Sequence, residues 1–180
     1  MPRVLHVSRQ QAHIFSKTPQ TSIRVIAGEG VEGDAHCGVT TQHLYLQRKD
    51  PTLPNLCQVH LLASEKLAAL AVKGYLVHPG DLGENILTQN LDLLSLPTGT
   101  LLHIGADAVL EVTGLRTPCI QIDKFRAGLQ QHMWLGHSSP GQHSQDAGIM
   151  SIVRTTGLIH PGDYIRVELP PKPHKPLQPV

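Results

Sequence analysis

The amino-acid sequence predicts one mainly β domain, an antiparallel barrel of short strands accompanied by a few short helices. A length of 180 residues indicates a single domain with a core of its own. Short runs in which apolar side chains recur at every second position are typical of strands with one buried face. Turn sequences rich in Gly, Pro and Asp separate these runs, and many short strands divided in this way favour a barrel over βαβ units.

Six runs of the chain fit the strand pattern. They are residues 3–7, 22–26, 58–62, 101–104, 108–115 and 164–169. In the last run Ile165, Val167 and Leu169 fall on one face, and the residues between them fall on the other. Ile86 and Leu87 form a further, shorter strand-like pair.

Two segments predict helices. Ser64 is a suitable N-cap for residues 65–73, and Gly74 follows as a stop signal. Asp123 is the predicted cap of a second, shorter helix. The apolar stripes consist of Leu67, Leu70 and Ala71 in the first helix and of Phe125, Leu129 and Met133 in the second.

Charge and composition exclude several classes of protein. The 15 Lys and Arg residues almost balance 14 Asp and Glu residues, and a net charge of +1 excludes a strongly basic nucleic-acid binder. No apolar run approaches the roughly 20 residues that cross a bilayer, and the N-terminus lacks the apolar region of a signal peptide. Three Cys residues, an odd number, argue against structural disulfides. We therefore expect a cytoplasmic protein that binds neither nucleic acid nor membrane.

The chain divides into a domain and a tail. Residues 170–180 hold five of the 14 prolines and almost no large apolar side chains. This composition predicts an extended, mobile segment. Residues 1–169 form the predicted β-barrel domain.

The segment Thr113-Gly-Leu-Arg-Thr-Pro-Cys119 is the most informative candidate for chemistry. It lies between a predicted strand and a predicted helix, so Cys119 comes near a helix N-terminus, where the dipole favours a thiolate. Arg116 adds a positive charge that acts in the same direction if it lies nearby. A thiolate serves as a nucleophile, a sulfur carrier or a soft-metal ligand. A buried free Cys explains the same residue without any function.

Two glycine-rich loops are further candidates. In Gly30-Val-Glu-Gly-Asp-Ala-His36, glycines flank acidic residues and predict a loop whose backbone amides can cradle an anion. In this loop His36 is a candidate ligand, an acid/base group or a hydrogen-bond donor to phosphate, unless it only bonds to Asp34.

The second loop is Pro79-Gly-Asp-Leu-Gly-Glu-Asn85. The side-chain amide of Asn85 offers hydrogen-bond donors and an acceptor there, although an Asx-type turn explains this loop without a ligand.

A zinc site is the alternative for the remaining Cys and His residues. The segments His36-Cys37 and Cys57-x-x-His60 contain four residues, two His and two Cys, of the types that bind zinc. Residues three apart on a strand point to opposite faces, however, and a zinc-finger spacing is absent. We expect both Cys37 and Cys57 to be structural. The histidines at positions 132, 137 and 143 lie in a Gly-, Ser- and Gln-rich stretch that is typical of a solvated loop.

Taken in order, several segments resemble the MOSC domain, which is named after the C-terminal part of molybdenum-cofactor sulfurases. The matching segments are Gly30-Val-Glu-Gly-Asp-Ala-His36, Gln58-Val-His-Leu-Leu62 with Ser64-Glu65, Pro79-Gly-Asp-Leu-Gly-Glu-Asn-Ile86, Leu93-Leu-Ser-Leu-Pro-Thr-Gly99, Leu110-Glu-Val-Thr-Gly-Leu-Arg-Thr-Pro-Cys119 with Gln121-Ile-Asp123, Gly148-Ile-Met150 and Ile159-His-Pro-Gly-Asp163. The likeness covers about residues 1–169. Within the family, the chain looks like the stand-alone bacterial members that are related to hydroxylaminopurine-resistance proteins. The amidoxime-reducing members share the residues at Cys119 and Asn85 but carry Arg where this chain has Gly83.

The resemblance implies a strongly bent sheet closed into a barrel, with Cys119 at the mouth of a pocket. It also implies a molybdenum-cofactor protein with reductase chemistry on N-hydroxylated compounds. In such a protein Cys119 is the molybdenum ligand, His36 or His60 passes protons, and Arg116 with the glycine-loop amides holds the phosphate of molybdopterin. The residues that we assign to cofactor binding on this basis are Arg116, Asn85, Glu84, Gly33, Asp34, Thr113 and Ser64.

The expected partners follow from what the chain lacks. Electrons must come from a separate donor protein, because no flavin, haem or iron–sulfur motif is present. Two alternatives stay open. In one, Cys119 carries a persulfide from a cysteine desulfurase to a metal–sulfur centre; in the other, the domain only binds a phosphorylated small molecule. Pyridoxal phosphate is not expected on this chain, since it lacks the desulfurase part that some family members carry.

Overall fold

The computed structural model describes residues 1–134 and 145–180, which contain eleven β-strands, three α-helices and two 3₁₀ turns. The strands are β1 (Arg3–Arg9), β2 (Thr18–Gln20), β3 (Ile23–Ile26), β4 (Gly30–Val31), β5 (Val59–Ala63), β6 (Ile86–Gln89), β7 (Leu101–Ile104), β8 (Ala108–Leu115), β9 (Ile149–Thr155), β10 (Gly157–Ile159) and β11 (Ile165–Glu168). The helices are α1 (Leu44–Lys49), α2 (Ser64–Val72) and α3 (Gln121–Phe125), and the 3₁₀ turns are Leu93–Ser95 and Gln130–Met133. Within these residues no helix is long and apolar enough to span a bilayer.

Two sheets form the scaffold. The larger has eight strands in the order β11-β7-β8-β9-β5-β6-β1-β2, and the smaller has three in the order β10-β3-β4. Neighbours pair in antiparallel fashion except β5 and β6, which run parallel because α2 carries the chain back between them. The prediction of antiparallel strands without βαβ units is therefore wrong at this point. A helix that follows directly on β5 creates one βαβ unit.

The larger sheet bends until its two ends approach each other. Val4 in β1 exchanges two backbone hydrogen bonds with residues 162–163, which lead into β11. Arg3 and Tyr164 form a single antiparallel bridge at the same place. The chain is thus mainly β, as the sequence predicts. The ladders seen in the described part of the chain leave β11 and β2 as separate edges, short of the closed ring that we expected.

The larger sheet separates two apolar cores. The main core takes alternate strand residues such as Val59 and Leu61 of β5. The second core lies under α2 and α3 and contains Leu62 of β5, Leu70 of α2 and Ile122 of α3. Because successive side chains of a strand point to opposite faces, one strand contributes to both cores.

Helix α2 has almost the predicted bounds. Ser64 is its first residue rather than its cap, so the predicted capping bond is not formed. The helix ends in a Schellman motif, in which Gly74 has a φ of +85° and its N–H donates to the carbonyl of Ala71. Of the predicted stripe, Leu67 and Leu70 are buried and Ala71 is exposed.

The second predicted helix is divided in two. Gly128, with a φ of +79°, separates α3 from the 3₁₀ turn Gln130–Met133. Asp123 lies inside α3 instead of preceding it, and its Oδ1 accepts a hydrogen bond from the N–H of Gln130 at 2.7 Å. Asp123 therefore caps the turn and not the helix.

The C-terminal segment is extended, but it packs against the domain and differs from the mobile tail that we expected. Leu177 is fully buried in the main core. Leu115 in β8 donates its N–H to the carbonyl of Gln178 and accepts a bond from the N–H of Val180. The buried side chain of Leu177 and these backbone hydrogen bonds hold the segment against the domain, although its proline content predicted mobility.

Candidate functional site

The predicted site residues come from separate parts of the chain. One group follows β4, one lies in β5, one precedes β6 and one follows β8. Hydrogen bonds and charge interactions join these side chains and that of Lys17, the residue just before β2, into a single group. We call it the polar cluster, and its members are Lys17, Asp34, His36, His60, Glu84, Asn85, Arg116 and Cys119.

Asp34 is the hub of the polar cluster. Its buried Oδ2 accepts hydrogen bonds from Lys17 Nζ at 2.6 Å and from Asn85 Nδ2 at 3.0 Å, and its Oδ1 accepts from the backbone N–H of His36 at 3.0 Å. Burial alone would raise the pKa of Asp34, but hydrogen bonds from His36 and the charge of Lys17 hold it well below its usual range. Burial lowers the pKa of Lys17, and the charge of Asp34 opposes that shift. Asp34 therefore stays ionised at neutral pH.

His36 is one of the half-buried members of the cluster and reaches solvent. Its Nδ1 lies 3.3 Å from Asp34 Oδ1, and 36% of its side chain is exposed. A carboxylate at Nδ1 favours the tautomer that carries its proton there, which leaves Nε2 as an acceptor. The ring of His13 packs edge-on at 5.6 Å. His36 is thus oriented by Asp34 and able to exchange a proton with water.

Asn85 joins two strands to Asp34. Its Nδ2 donates to the carbonyl of Ser8 in β1 at 3.1 Å as well as to Asp34, and its Oδ1 accepts from the backbone N–H of His60 in β5 at 3.1 Å. Both amide donors are used within the protein and the side chain is buried. The structure gives Asn85 a positioning role.

His60 lies in the interior, with 5% of the residue exposed. Its Nε2 is 2.8 Å from the carbonyl oxygen of Ala147, which makes Nε2 the donor. Burial, and after it the charge of Arg116, lower the pKa of His60 to about 3. At neutral pH the ring is uncharged and its proton is held by a backbone carbonyl.

Glu84 is a buried acid with an incomplete set of partners. Only 1% of the residue is exposed, and Oε1 accepts a hydrogen bond from the N–H of Gly80. Oε2 has no hydrogen-bond partner among residues 1–134 and 145–180. Burial is the main cause that raises the pKa of Glu84 to about 7. Near neutral pH Glu84 therefore divides between the acid and the carboxylate.

Arg116 is the cation that faces Cys119. Burial lowers the pKa of Arg116, while the charges of Cys119 and Glu84 raise it. The carbon at the centre of its guanidinium lies 5.8 Å from the centre of the Phe15 ring, a cation–π contact. Within the described part of the chain no side chain or carbonyl accepts a hydrogen bond from this guanidinium. Arg116 is thus a positioned cation whose donors are unused.

Cys119 lies just before α3 and is half-buried. Its carbonyl oxygen accepts a bond from the N–H of Ile122 at 3.1 Å. Ile120 is 59% exposed and Phe125 is 37% exposed, so apolar side chains with accessible surface lie beside the cysteine in the chain. Because α3 has only five residues, Arg116 and not the helix dipole is the main source of positive charge near the sulfur.

Three residues that we assigned to cofactor binding make their contacts outside the polar cluster. The hydroxyl of Ser64 bonds to Glu65, and Thr113 Oγ1 donates to the carbonyl of Leu56 at 2.7 Å. Gly33 has a φ of +74°, and its Cα faces the side chain of Arg9. None of these contacts involves a member of the cluster.

The other two cysteines, Cys37 and Cys57, lie outside the polar cluster. Burial raises the pKa of Cys57 to about 11, and burial with the charge of nearby acids raises the pKa of Cys37. Both thiols therefore keep their protons at neutral pH. Among the residues that the structure describes, no three His, Cys, Asp or Glu side chains are arranged to hold a metal ion.

Two cavities of about 450 Å³ lie beside other parts of the fold. One is a polar cleft at β1 and β2 lined by Arg9, Gln10, Gln11, Thr18, Gln20 and Gly33. The other lies between α2 and the turn Leu93–Ser95. No member of the polar cluster lines either of these two cavities. Of the remaining histidines, His132 packs against Tyr75, and residues 137 and 143 lie outside the described residues.

Sequence reasoning missed Lys17 and Phe15. Both belong to the connection between β1 and β2, which contains no recognisable motif. Lys17 and Asp34 lie in separate loops of the folded chain, and no local spacing indicates such a pair. The sole signal is indirect, since a buried carboxylate requires a cation or several donors.

Comparison with known proteins identifies the family of this fold. A family model for the MOSC domain matches residues 48–166, which is more than half of the chain. A search of the curated proteins finds no match.

Solved structures of bacterial proteins share the whole architecture. The YuaD protein from Bacillus subtilis has a TM-score of 0.77 and 24% identity, and the match covers 95% of this chain and 98% of that one. YiiM from Geobacillus stearothermophilus has a TM-score of 0.65 and 16% identity, covering 93% of this chain and 75% of that one. YiiM from Escherichia coli has a TM-score of 0.61 and 15% identity, covering 96% and 73%. At these identities the likeness shows the fold alone.

Proposed function

This chain belongs to the MOSC domain family, which is associated with molybdenum-cofactor binding, and we propose that it binds this cofactor through Cys119 and reduces N-hydroxylated compounds. The observation that carries the proposal is a half-buried thiol next to a guanidinium whose donors are unused by the described residues. A soft thiolate suits high-valent molybdenum, and a guanidinium suits the phosphate of molybdopterin.

The chemistry of the donor set fits the cofactor. Cys119 is the cysteine that interacts with the charge of Arg116. Burial raises the pKa of Cys57 to about 11. Arg116 offers several N–H donors in one plane, the geometry that binds a phosphate in bidentate fashion. Glu84 is partly protonated at neutral pH, so its repulsion of an incoming anion is reduced.

Each residue of the polar cluster has a separate task in this proposal. Cys119 holds the molybdenum, and Arg116 fixes the phosphate. Asp34 orients His36, which exchanges protons with water, while His60 and Asn85 hold the strands in register. When bound, the cofactor supplies the two-electron redox chemistry. Conversion of an N–OH group to N–H and water consumes two electrons and two protons; the electrons come from a separate donor protein and the protons through His36.

The metal content of the purified protein tests this proposal. We expect protein from a host that makes the cofactor to contain molybdenum and an oxidisable pterin, and Cys119→Ser to lose most of both. Cys57→Ser is the matched control, because the same substitution at an equally half-buried thiol outside the polar cluster leaves the donor set intact. With a chemical electron donor, reduction of hydroxylaminopurine is expected to follow the metal content. Full retention of molybdenum by Cys119→Ser contradicts the proposal.

The same thiol favours a second candidate, a sulfur carrier. A persulfide anion on Cys119 would lie beside the positive charge of Arg116. In the transfer step the Cys119 thiolate attacks the terminal sulfur of the desulfurase persulfide, the S–S bond breaks, and the desulfurase thiolate leaves. After incubation with a desulfurase and cysteine, the Cys119 peptide of metal-free protein should gain the mass of one sulfur atom. A thiol that stays unmodified rules out this candidate.

A further inference from the structure

The cavity between α2 and the turn Leu93–Ser95 has the size and the lining of a small-molecule site. Its volume is about 450 Å³, within the range of roughly 300–1,000 Å³ that is typical of ligand pockets. We call it the α2 cavity. Its apolar lining residues are Leu62, Ala63, Ala69, Leu91, Leu93 and Leu94. Leu62 and Leu93 are buried and Ala69 is exposed, so the cavity extends from solvent to an apolar floor.

The one cation that lines the α2 cavity is already paired. Lys66 Nζ lies 2.5 Å from Asp146 Oδ2 and also donates to the carbonyl of His132 at 2.7 Å. Both side chains of this ion pair are largely withdrawn from water, which strengthens their attraction. The charge of Lys66 is therefore offset within the protein. Glu65 and Asp92 also line the cavity and leave it with two carboxylates in excess.

Several carboxylate oxygens of the lining are free to accept hydrogen bonds from a ligand. The N–H of Asn90 donates to Glu65 Oε1 at 2.8 Å. By contrast, Asp146 bonds through Oδ2 alone, and the Asp92 carboxylate accepts no hydrogen bond, among the residues that the structure describes. An anionic ligand would meet these carboxylates without an unpaired cation. A ligand that carries an ammonium group would satisfy them.

We propose that the α2 cavity binds small amines with an apolar body, the arylalkylamines being the simplest class. The apolar body packs against Leu62 and Leu93, and the ammonium group lies toward Asp92 and Asp146. The α2 cavity and the polar cluster have no residue in common. The inference therefore does not depend on the proposed function, and either can fail without the other.

Three probes that share a phenyl ring and differ in charge test the proposal. They are 2-phenylethylamine, a cation at neutral pH, 2-phenylethanol, which is neutral, and phenylacetate, an anion. Binding is measured on the purified protein from the NMR shifts of the leucine methyl groups that line the cavity. We expect the amine to bind with a Kd on the order of 1 mM, as suits a ligand of this size. The alcohol should bind about fivefold more weakly, and phenylacetate more weakly still.

Two outcomes of this titration overturn the proposal. In the first, the amine leaves the methyl signals of Leu62 and Leu93 unchanged, so nothing binds in the cavity. In the second, phenylacetate binds as tightly as the amine, so the charge of the lining does not select the ligand. High salt should weaken the binding of the amine and leave that of the alcohol nearly unchanged, because screening acts on the charged pair.

Neighbouring alanines of α2 provide a matched pair of variants. Ala68 and Ala69 are both exposed, but only Ala69 lines the α2 cavity. Ala69→Phe places a ring where the ligand would lie and should weaken the binding of the amine more than about tenfold. Ala68→Phe should bind the amine like the wild type. Full affinity in Ala69→Phe shows that the amine binds elsewhere and overturns the proposal.

The role of Asp92 in charge selection is tested by Asp92→Asn. The substitution keeps the shape of an exposed side chain and removes its charge. We expect the amine to bind about threefold to fivefold more weakly and the alcohol to bind as it does to the wild type. An equal loss for both probes shows that the side chain acts by packing and contradicts the charge assignment.

Discussion

Asp34 decides how the other polar side chains are placed. Lys17, His36 and Asn85 each bond to one of its carboxylate oxygens, and Asn85 in turn bonds to the backbone of β1 and β5. Lys17 and Asp34 are both almost completely withdrawn from water. A charge pair in such a place is stable only while both partners are present, because either one alone is an uncompensated buried charge.

Asp34→Asn should therefore destabilise the protein strongly. We expect a loss of about 3–5 kcal/mol in the free energy of unfolding, measured by urea denaturation, because Lys17 is left buried without an anion. The double variant Lys17→Met with Asp34→Asn should recover much of that loss. Glu32→Gln is the control, since Glu32 pairs with Arg24 at the surface and should cost less than about 1 kcal/mol. A loss in Asp34→Asn as small as in the control contradicts the account.

Glu84 predicts an unusual dependence of stability on pH. Its pKa is about 7 when folded and about 4.3 in an unfolded chain, so between these values the folded protein binds more protons. The stabilisation is fully present below about pH 4 and is lost as the pH rises through about 7, a change on the order of 3 kcal/mol. Glu84→Gln lacks this titration, so the unfolding free energy of the wild type relative to that of Glu84→Gln should fall by a similar amount between about pH 4 and pH 8. If the unfolding free energies of the two proteins change in parallel with pH, this prediction is wrong.

At the scale of elements, the site depends on how β9 begins. Gly148 precedes β9 with a φ of +91°, and a Cβ there would meet the carbonyl oxygen of Leu61 and lie 2.8 Å from His60 Nε2. Its carbonyl also accepts the bond from the N–H of Arg116. The absence of a side chain at Gly148 thus lets the residues after β8 approach β5.

Gly148→Ala and Gly74→Ala form a matched pair that tests this close approach. Both glycines have a positive φ, but a Cβ at Gly74 meets nothing within 4 Å. Gly74→Ala should cost about 1–2 kcal/mol through backbone strain alone. Gly148→Ala should cost more than about 3 kcal/mol in thermal or urea unfolding, because strain and the clash add. Equal costs for the two substitutions contradict the packing described here.

The sequence predicts elements well where apolar residues alternate without interruption. β7 and β8 have the predicted bounds, and β1, β3, β5 and β11 differ from them by a few residues. β9 was missed because its buried positions include the polar Ser151, which interrupts the apolar pattern. The smaller sheet was mostly missed because β4 and β10 have only two and three residues, too few to show a period.

At the scale of the whole molecule, sequence reasoning does not predict contacts between residues that are far apart in the chain. Lys17 and Asp34 are 17 residues apart, and Arg116 and Glu84 come from separate segments of the chain, so no local pattern encodes either approach. The assignment of Asp34, His36, Arg116 and Cys119 to one functional site comes from the ordered motifs of the family and stays a prediction. The partners that fix their charges became visible only in the folded chain.

The C-terminal segment is part of the folded domain and should contribute to its stability. Leu177 is fully buried, whereas Leu169 is 53% exposed just before the proline-rich residues. Leu177→Ala should lower the unfolding free energy by about 2–5 kcal/mol, the cost of a cavity in a core. Leu169→Ala should stay within about 0.5 kcal/mol of wild type. Similar small effects of both substitutions would show that the segment does not pack as described.

X-ray absorption at the molybdenum edge tests the central claim most directly, because it counts the sulfur atoms around the metal. We predict that protein loaded with the cofactor has one sulfur neighbour beyond the two of the pterin dithiolene. The molybdenum that Cys119→Ser still retains should show only those two, while Cys57→Ser should match the wild type. An identical sulfur count in wild type and Cys119→Ser contradicts the assignment of Cys119 as the ligand.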